Sequence, residues 1–322
     1  MWHALRTYGT LIGMAAVILF FWVMLPDTFM TARNWTNLSQ QMSMLIVVAT
    51  VMTVVMAVGD FDLSVGAMAS LAGVVAAVLF AQGHGIVVAV AAALAVGLLG
   101  GALNGALVSL LGILPFVATL ATLTIFSGVA FLVSDGKTIS GRAIPEAFAG
   151  FARGGIVIGG GERPLVLSWL AILAFLGVAL VWVALEQTSY GRRLYALGGN
   201  MEAARLAGIK VVRLRLTAFL FTGVGAAVAG LMYAARVASA NPTQGDGLML
   251  TAIAAVFLGM TMTKGGQPSV LATLAGVVVL GVMDNGLTQL NVDSYVREVL
   301  VGAIILAAVS ISAIGRRAVG MR

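Results

Sequence analysis

Two acidic residues lie close together in a stretch that is otherwise apolar. Asp60 and Asp62 belong to Gly59–Gly66, which reads Gly-Asp-Phe-Asp-Leu-Ser-Val-Gly and places Ser64 after the second acid. A charge near the centre of a bilayer costs about 2.5–3.5 kcal/mol, so acids in a membrane segment need water, polar partners or a position at the surface. Two interpretations are open: a tight cytoplasmic turn in which Asp62 caps the next helix, or a broken helix that lines a translocation path.

Three further polar residues lie within apolar stretches. Asn104 lies beside a row of glycines spaced four apart: Gly97, Gly101 and Gly105. That spacing places the glycines on one helix face and favours a packing stripe in which Asn104 hydrogen-bonds to a neighbouring helix. The alternative is a hydrogen bond to a transported molecule. Asp284 and Asn285 allow the same two interpretations, and we expect the acid to face water rather than lipid.

One long polar segment, residues 186–213, interrupts the apolar stretches. Its length suits a turn, one short helix and a return turn. Asn200 is a suitable N-cap, Glu202 lies in the first turn where the helix dipole favours an acid, and Gly208 is a suitable C′ residue. Between them stand good helix formers, including Ala203, Ala204 and Arg205. The segment is either such a helix outside the membrane or an ordinary basic loop that only fixes the topology.

Several kinds of chemistry are excluded. The chain has no cysteine, and its two histidines, His3 and His84, fall at predicted helix ends. Thiolate sites, histidine metal clusters and catalytic triads therefore have no residues to form them. The Gly-x-x-x-x-Gly-Lys-[Ser/Thr] phosphate-binding loop is missing as well, so the chain cannot bind ATP through this loop. We predict no catalytic residue, no metal and no bound cofactor.

The elements that position these residues are membrane-spanning helices. Of the 322 residues, 61% are hydrophobic and 9% charged, and the mean hydropathy is +1.07. A soluble domain carries about 25% charged residues. With ~20 apolar residues per crossing, we predict about ten spans. They are residues 9–26, 41–59, 64–81, 86–111, 113–134, 165–185, 214–236, 248–263, 269–289 and 295–313. The fold class is therefore an all-α membrane protein, with residues 1–322 as one transmembrane domain.

The basic residues predict the orientation. The net charge is +6, which with so few charges indicates a positive-inside excess rather than nucleic-acid binding. If the N-terminus is cytoplasmic, most lysines and arginines, including Arg6 and Arg322, lie on cytoplasmic loops. The exceptions concentrate in one long outer loop, 135–164, which includes Arg163, and long loops weigh less in this rule. Both termini are predicted to be cytoplasmic and loop 135–164 periplasmic.

The pattern in the polar segment resembles a known family. Gly191-x4-Ala196-x-Gly198-x-Asn200-x2-Ala203-Ala204-x3-Gly208-Ile209 is similar to the coupling loop of monosaccharide ABC-importer permeases of the ribose, xylose and arabinose type. These are inner-membrane components of binding-protein-dependent transport. In that family, the loop docks into a groove on the cytoplasmic ATPase. The resemblance assigns ATPase coupling to ten residues: Gly191, Arg192, Arg193, Gly198, Asn200, Glu202, Ala203, Ala204, Arg205 and Gly208.

The acidic stretch resembles the Gly-x-x-Asp-Leu-Ser-Val-Gly signature of the same permeases. The form Gly-Asp-Phe-Asp-Leu-Ser-Val looks most like the L-arabinose permeases, as does Ser134-Asp135-Gly136-Lys137. The resemblance extends over residues 10 to 315, but the glycine-rich loop 135–164 departs from it. Candidate residues of a translocation pathway are Asp60, Asp62, Ser64, Asn104, Asp284 and Asn285.

The resemblance implies a bacterial inner-membrane importer of a monosaccharide such as a pentose. The expected partners are an ABC ATPase subunit that binds ATP and Mg²⁺, a second permease copy, a periplasmic sugar-binding protein and membrane lipid, without nucleic acid. Two alternatives are a branched-chain amino-acid ABC permease and a cation-coupled secondary transporter that uses Asp60, Asp62 or Asp284. A membrane-embedded enzyme lacks a convergent acid–base set.

Overall fold

A computed structural model describes residues 2–160 and 164–320, and these fold mainly into helices. The helices are α1 (Trp2–Met24), α2 (Ala32–Ala57), α3 (Val65–Ala81), α4 (Ile86–Ser109), α5 (Pro115–Ser134), α6 (Glu146–Arg153), α7 (Trp169–Trp182), α8 (Ser189–Gly199), α9 (Met201–Leu206), α10 (Val211–Val237), α11 (Asp246–Met260), α12 (Val270–Gln289) and α13 (Ser294–Gly320). Every predicted span overlaps one of them. The chain is thus a mostly helical membrane protein.

Six helical segments in the described part of the chain are long and apolar enough to cross a membrane. They are Ala32–Ala57, Ile86–Ser109, Pro115–Ser134, Trp169–Gln187, Val211–Val237 and Val270–Gln289. Three shorter apolar helices, Ile12–Met24, Val65–Ala81 and Asp246–Met260, coincide with other predicted spans. The count of about ten spans and the cytoplasmic position of both termini stay predictions. Arg163 and Arg322, used for the orientation, lie outside the described residues.

Helix α2 forms the centre of the bundle, and 89% of its most apolar 18-residue stretch is buried. It packs against α7, α10, α11 and α12. Peripheral helices instead present large apolar side chains outward, as at Leu99 (69% exposed), Leu132 (81%) and Leu180 (64%). Water would not support such a surface, whereas lipid chains cover it without cost. Apolar residues therefore lie on both sides of the peripheral helices, and polar contacts concentrate between helices.

The glycine stripe of α4 packs directly on α10. A Cβ added to Gly97 would lie 2.4 Å from the carbonyl oxygen of Gly223, and one added to Gly101 would lie 2.4 Å from that of Phe219. Backbones can approach this closely only where side chains are missing, which is how helices associate in lipid. The predicted packing stripe is confirmed, and α10 is its partner.

Loop 135–164 contains structure that the all-α prediction did not include. Helix α6 lies in it, and strand β1 (Ile139–Ser140) pairs antiparallel with β4 (Ser239–Ala240). A second antiparallel pair joins β2 (Gly155–Ile158) to β3 (Leu165–Ser168). The strands are only two to four residues long, so the hydrophobic alternation that predicts a strand had no length in which to appear.

The polar segment 186–213 also differs from the prediction of one short helix. It begins within a π-helical turn, Val183–Gln187, and then forms two helices, α8 and α9. Three glycines in α8 disfavour a helix, which is why the sequence alone predicted a turn there. Thr188 starts α8, because its hydroxyl accepts a hydrogen bond from the N–H of Tyr190.

Candidate functional site

Asp60 forms a two-pronged ion pair with Arg215. The acid lies in the connection between α2 and α3, and the arginine lies in the first turns of α10. Arg215 donates from Nε to Asp60 Oδ2 at 2.7 Å and from Nη2 to Oδ1 at 2.8 Å. The side chains are only 5% (Asp60) and 14% (Arg215) exposed. Parallel charge-assisted hydrogen bonds of this kind are strong and directional. The pair fixes the α2–α3 connection to the beginning of α10.

Asp62 is buried, has no cation partner among the described residues and is held by hydrogen bonds. Its Oδ1 accepts from the backbone N–H of Ser64 at 2.9 Å and from the Ser64 hydroxyl at 2.6 Å. Its Oδ2 accepts from the Thr222 hydroxyl of α10 at 2.6 Å. Ser64 is itself the N-cap of α3, so Asp62 organises the turn before the helix rather than the first turn of the helix. These donors offset much of the cost of burying the carboxylate.

Asn104 extends this network to two more helices. Its Nδ2 donates to the Ser64 hydroxyl at 2.8 Å and lies 3.4 Å from Asp62 Oδ1. Its Oδ1 accepts from the hydroxyl of Thr122 in α5 at 2.7 Å. Asn104 therefore makes the interhelical hydrogen bonds expected of a packing residue. The structure brings Asp62, Ser64 and Asn104 together in one buried network.

Sequence reasoning missed three residues that complete these contacts: Arg215, Thr122 and Thr222. Arg215 counted only as a basic residue near a membrane surface. A signal for it existed, because an arginine within the first turns of an apolar helix needs an acid at the same membrane depth. The two threonines had no signal, since a threonine within a helix usually bonds to the backbone of the preceding turn.

The start and end of α9 agree with the predicted caps. The side-chain oxygen of Asn200 accepts a hydrogen bond from the N–H of Ala203 at 3.0 Å. Gly208 follows the helix with φ +79°, a left-handed conformation that glycine adopts without strain. Glu202 lies in the first turn and Arg205 in the last turn. The caps limit α9 to less than two turns.

The glycines of α8 allow it to sit against the bundle. A Cβ on Gly198 would lie 2.2 Å from the carbonyl oxygen of Ala57 at the end of α2. A Cβ on Gly191 would lie 1.7 Å from the carbonyl oxygen of Leu185. Gly191 and Gly198 are therefore at positions where any side chain would clash with the neighbouring backbone. Because Ala57 is next to the turn that carries Asp60 and Asp62, the two sequence signatures meet in the structure.

Polar side chains fix α8 and the preceding turn to α10 and α12. The Tyr190 hydroxyl lies 3.0 Å from the Thr217 hydroxyl of α10, and the Tyr195 hydroxyl donates to the Pro268 carbonyl at 3.0 Å. Burial, with a smaller effect of nearby Glu186, raises the pKa of Tyr195 to about 12, so its hydroxyl keeps its proton. Glu186 Oε1 accepts from the Ser269 hydroxyl and from the first N–H of α12.

The face of α9 directed away from the bundle is open. Ala204 is buried at 5% exposure, whereas Met201 is 41% and Leu206 is 81% exposed. The charged side chains of this segment, Arg192, Arg193, Glu202 and Arg205, are exposed and form no ion pair within the described residues. Helix α9 therefore presents Met201 and Leu206 outward, with exposed arginines beside it.

Asp284 and Asn285 lie near the C-terminal end of α12, which is its predicted outer end. The α2–α3 connection lies on the predicted inner side of the bundle. Asp284 accepts from Gln41 at 2.9 Å and from Arg297 at 2.8 Å. Asn285 exchanges two side-chain hydrogen bonds with Asn34, at 3.1 and 3.0 Å. The six pathway candidates therefore separate into an inner buried group and this outer group. In residues 2–160 and 164–320, no three acids or histidines converge as metal ligands would.

Comparison with known proteins identifies relatives over nearly the whole chain. Residues 34–309 match the protein family described as branched-chain amino acid transport system / permease component. The chain is 37% identical over 305 residues to the ribose import permease protein of Bacillus subtilis (strain 168), covering 95% of this chain and 92% of that protein. It is 37% identical over 302 residues to the L-arabinose transport system permease protein of Escherichia coli (strain K12), covering 94% and 89%. Identity is 32% over 305 residues to the D-allose transport system permease protein of the same strain, covering 94% and 90%. No solved structure matches the chain.

Proposed function

This chain belongs to the family of branched-chain amino acid transport system permease components, and from that premise we propose that it is the membrane-spanning permease of an ATP-driven pentose importer. Its relatives named as permeases include ribose and L-arabinose proteins, at equal identity. The observation that carries the proposal is α9, a capped and exposed short helix held outside a bundle of apolar helices. ATP hydrolysis takes place on a partner subunit.

Helix α9 is the proposed docking element for the ATPase. Ala203 is exposed on it, and a small residue lets a helix enter a groove deeply. The exposed Met201 and Leu206 supply apolar area. Arg192, Arg193 and Arg205 stand nearby without partners in the described chain, and they suit acids at the rim of the groove. Such rim charges speed and orient association more than they strengthen it.

Helix α8 is the proposed transmitter of the motion. It touches the end of α2 through Gly198, the beginning of α12 through Tyr195 and α10 through Tyr190. A displacement of α9 therefore reaches three helices through direct contacts rather than through flexible loops. The α2–α3 connection is tied to α10 by the Asp60–Arg215 pair, so α2 and α10 are expected to move as a unit.

A pentose, with L-arabinose first, is the proposed cargo. The Gly-Asp-Phe-Asp-Leu-Ser-Val stretch and Ser134-Asp135-Gly136-Lys137 support L-arabinose over ribose. A periplasmic sugar-binding protein delivers the sugar to the outer face, and a second copy of this chain completes the permease in the inner membrane. Selection among sugars rests mainly with the binding protein.

A cation-coupled carrier is a weaker candidate, because the acids that it would use are already engaged. Asp60 is paired with Arg215 and Asp284 with Arg297. Asp62 accepts hydrogen bonds from Ser64 and Thr222. A carboxylate that carries a cation has to exchange its partners during each cycle, and these partners would all have to be displaced.

The proposal is tested by co-purification. The chain is co-expressed with the ATPase and sugar-binding protein of the proposed importer, and Ala203→Trp is compared with Ala147→Trp. Ala147 is an exposed alanine on α6, another short helix, and it lies on the opposite predicted side of the membrane. Ala203→Trp should abolish ATPase capture and sugar-stimulated ATP hydrolysis at normal membrane abundance, whereas Ala147→Trp should retain both. Normal capture by Ala203→Trp would contradict the docking role of α9.

A further inference from the structure

A cavity of about 300 Å³ lies within one copy of the chain, among the predicted outer ends of α2, α10, α11, α12 and α13. Its volume is at the lower end of the ~300–1,000 Å³ typical of small-molecule sites. Apolar residues form part of the wall. The polar lining residues are Gln41, Tyr233, Arg236, Gln244, Thr251 and Asp284.

The polar groups of this cavity fall into donors and acceptors. Arg236 is half-buried, and its guanidinium has no hydrogen-bond or ion-pair partner in the part of the chain that the structure describes. Asp284 is fixed by one hydrogen bond from Gln41 and one from Arg297. Each carboxylate oxygen retains a further lone pair. The wall therefore presents a free planar donor and a pre-oriented acceptor.

This combination matches a neutral polyol better than an ion. A hydroxyl group both donates and accepts, so neighbouring hydroxyls of one molecule can engage Arg236 and Asp284 together. An anion would pair with Arg236 and be repelled by Asp284. A cation would pair with Asp284 and be repelled by Arg236. Tyr233 adds an aromatic side chain with a polar end, which suits a ligand that has both apolar and polar faces.

We propose that this cavity is a monosaccharide-binding site within the permease protomer, with Arg236 and Asp284 as its hydrogen-bonding residues. The inference rests on the proposed function for the identity of the sugar. The site receives the sugar at the outer face before it enters the bundle. Asn285 does not line the cavity; its side chain bonds to Asn34 of α2 and accepts from Gln289 of its own helix.

The first test uses the lack of cysteine in the chain. Thr251→Cys places a single thiol in the wall. It removes one methyl group and the hydrogen bond from the Thr251 hydroxyl to the Gly247 carbonyl of the same helix. Thr138→Cys, at an exposed position of loop 135–164, is the matched control. In the full-length chain in lipid, L-arabinose or D-ribose should slow alkylation of Thr251→Cys several-fold and leave Thr138→Cys unchanged. Equal rates with and without both sugars, or equal protection by sulfate, would overturn the proposal.

The second test measures transport by the assembled importer at matched membrane abundance. Arg236→Gln should lower kcat/KM for the sugar by about tenfold or more, as expected when a hydrogen bond from a charged group is lost. Arg142→Gln, at an exposed arginine of the same outer loop, should transport normally. Normal transport by Arg236→Gln would overturn the site. Because the alkylation test needs no ATPase, failure of the site and failure of the importer assignment remain distinguishable.

Discussion

Gly198 and Gly199 are adjacent at the end of α8, and the structure predicts opposite effects for the same substitution. A Cβ on Gly198 would lie 2.2 Å from the carbonyl oxygen of Ala57, whereas a Cβ on Gly199 would have no heavy atom within 4 Å. Ordinary contact begins at 3.4 Å, so Gly198→Ala requires α8 to move from α2 by about 1.2 Å. Overpacking of this kind costs ~1–3 kcal/mol.

Gly199→Ala meets no obstacle and gains up to about 1 kcal/mol, because alanine favours a helix over glycine. The two variants should therefore shift the unfolding temperature of the purified permease in opposite directions. If α8 transmits the motion, Gly198→Ala should also transport less sugar for each ATP hydrolysed, while Gly199→Ala keeps the ratio of the natural chain. Equal losses in both variants, or normal behaviour of Gly198→Ala, would refute the close contact between α8 and α2.

Three further predictions address the network and the topology. Asp60→Leu or Arg215→Met alone should destabilise the chain by ~3–5 kcal/mol, because each change leaves one buried charge unpaired. The double variant should lose much less stability than the sum of the two single variants. Additive losses in a double-mutant cycle would contradict the ion pair. Asp62→Asn replaces an accepting oxygen with a donor and should lower the stability of the fold by ~1–3 kcal/mol, so membrane abundance and transport should fall together. A loss of transport at full abundance would favour the pathway role instead. Reporter fusions after Arg215 should report cytoplasm and those within 140–160 periplasm, and a periplasmic signal after Arg215 would contradict the orientation.

The sequence by itself determined the membrane class of this protein and the signals at its helix ends. Hydrophobicity summed over a span needs no knowledge of neighbours, so every predicted span overlaps a helix. Asn200 and Gly208 act within a single turn of chain, and α9 therefore begins and ends as predicted. The spacing of Gly97, Gly101 and Gly105 also identified a packing face, because helix periodicity alone assigns residues to a face.

The tertiary structure decided the partners of these residues. Nothing in the spacing of the α4 glycines selects α10, and nothing local to Asp60 selects Arg215, which is 155 residues away. Helix α8 is the clearest case, because its glycines disfavour a helix, yet close contact with α2 and the bonds of Tyr190 and Tyr195 hold it in place. Side chains distant in the chain supply that stabilisation only after the helices have packed. Local signals fix where elements begin and end, whereas buried polar pairing depends on which helices become neighbours.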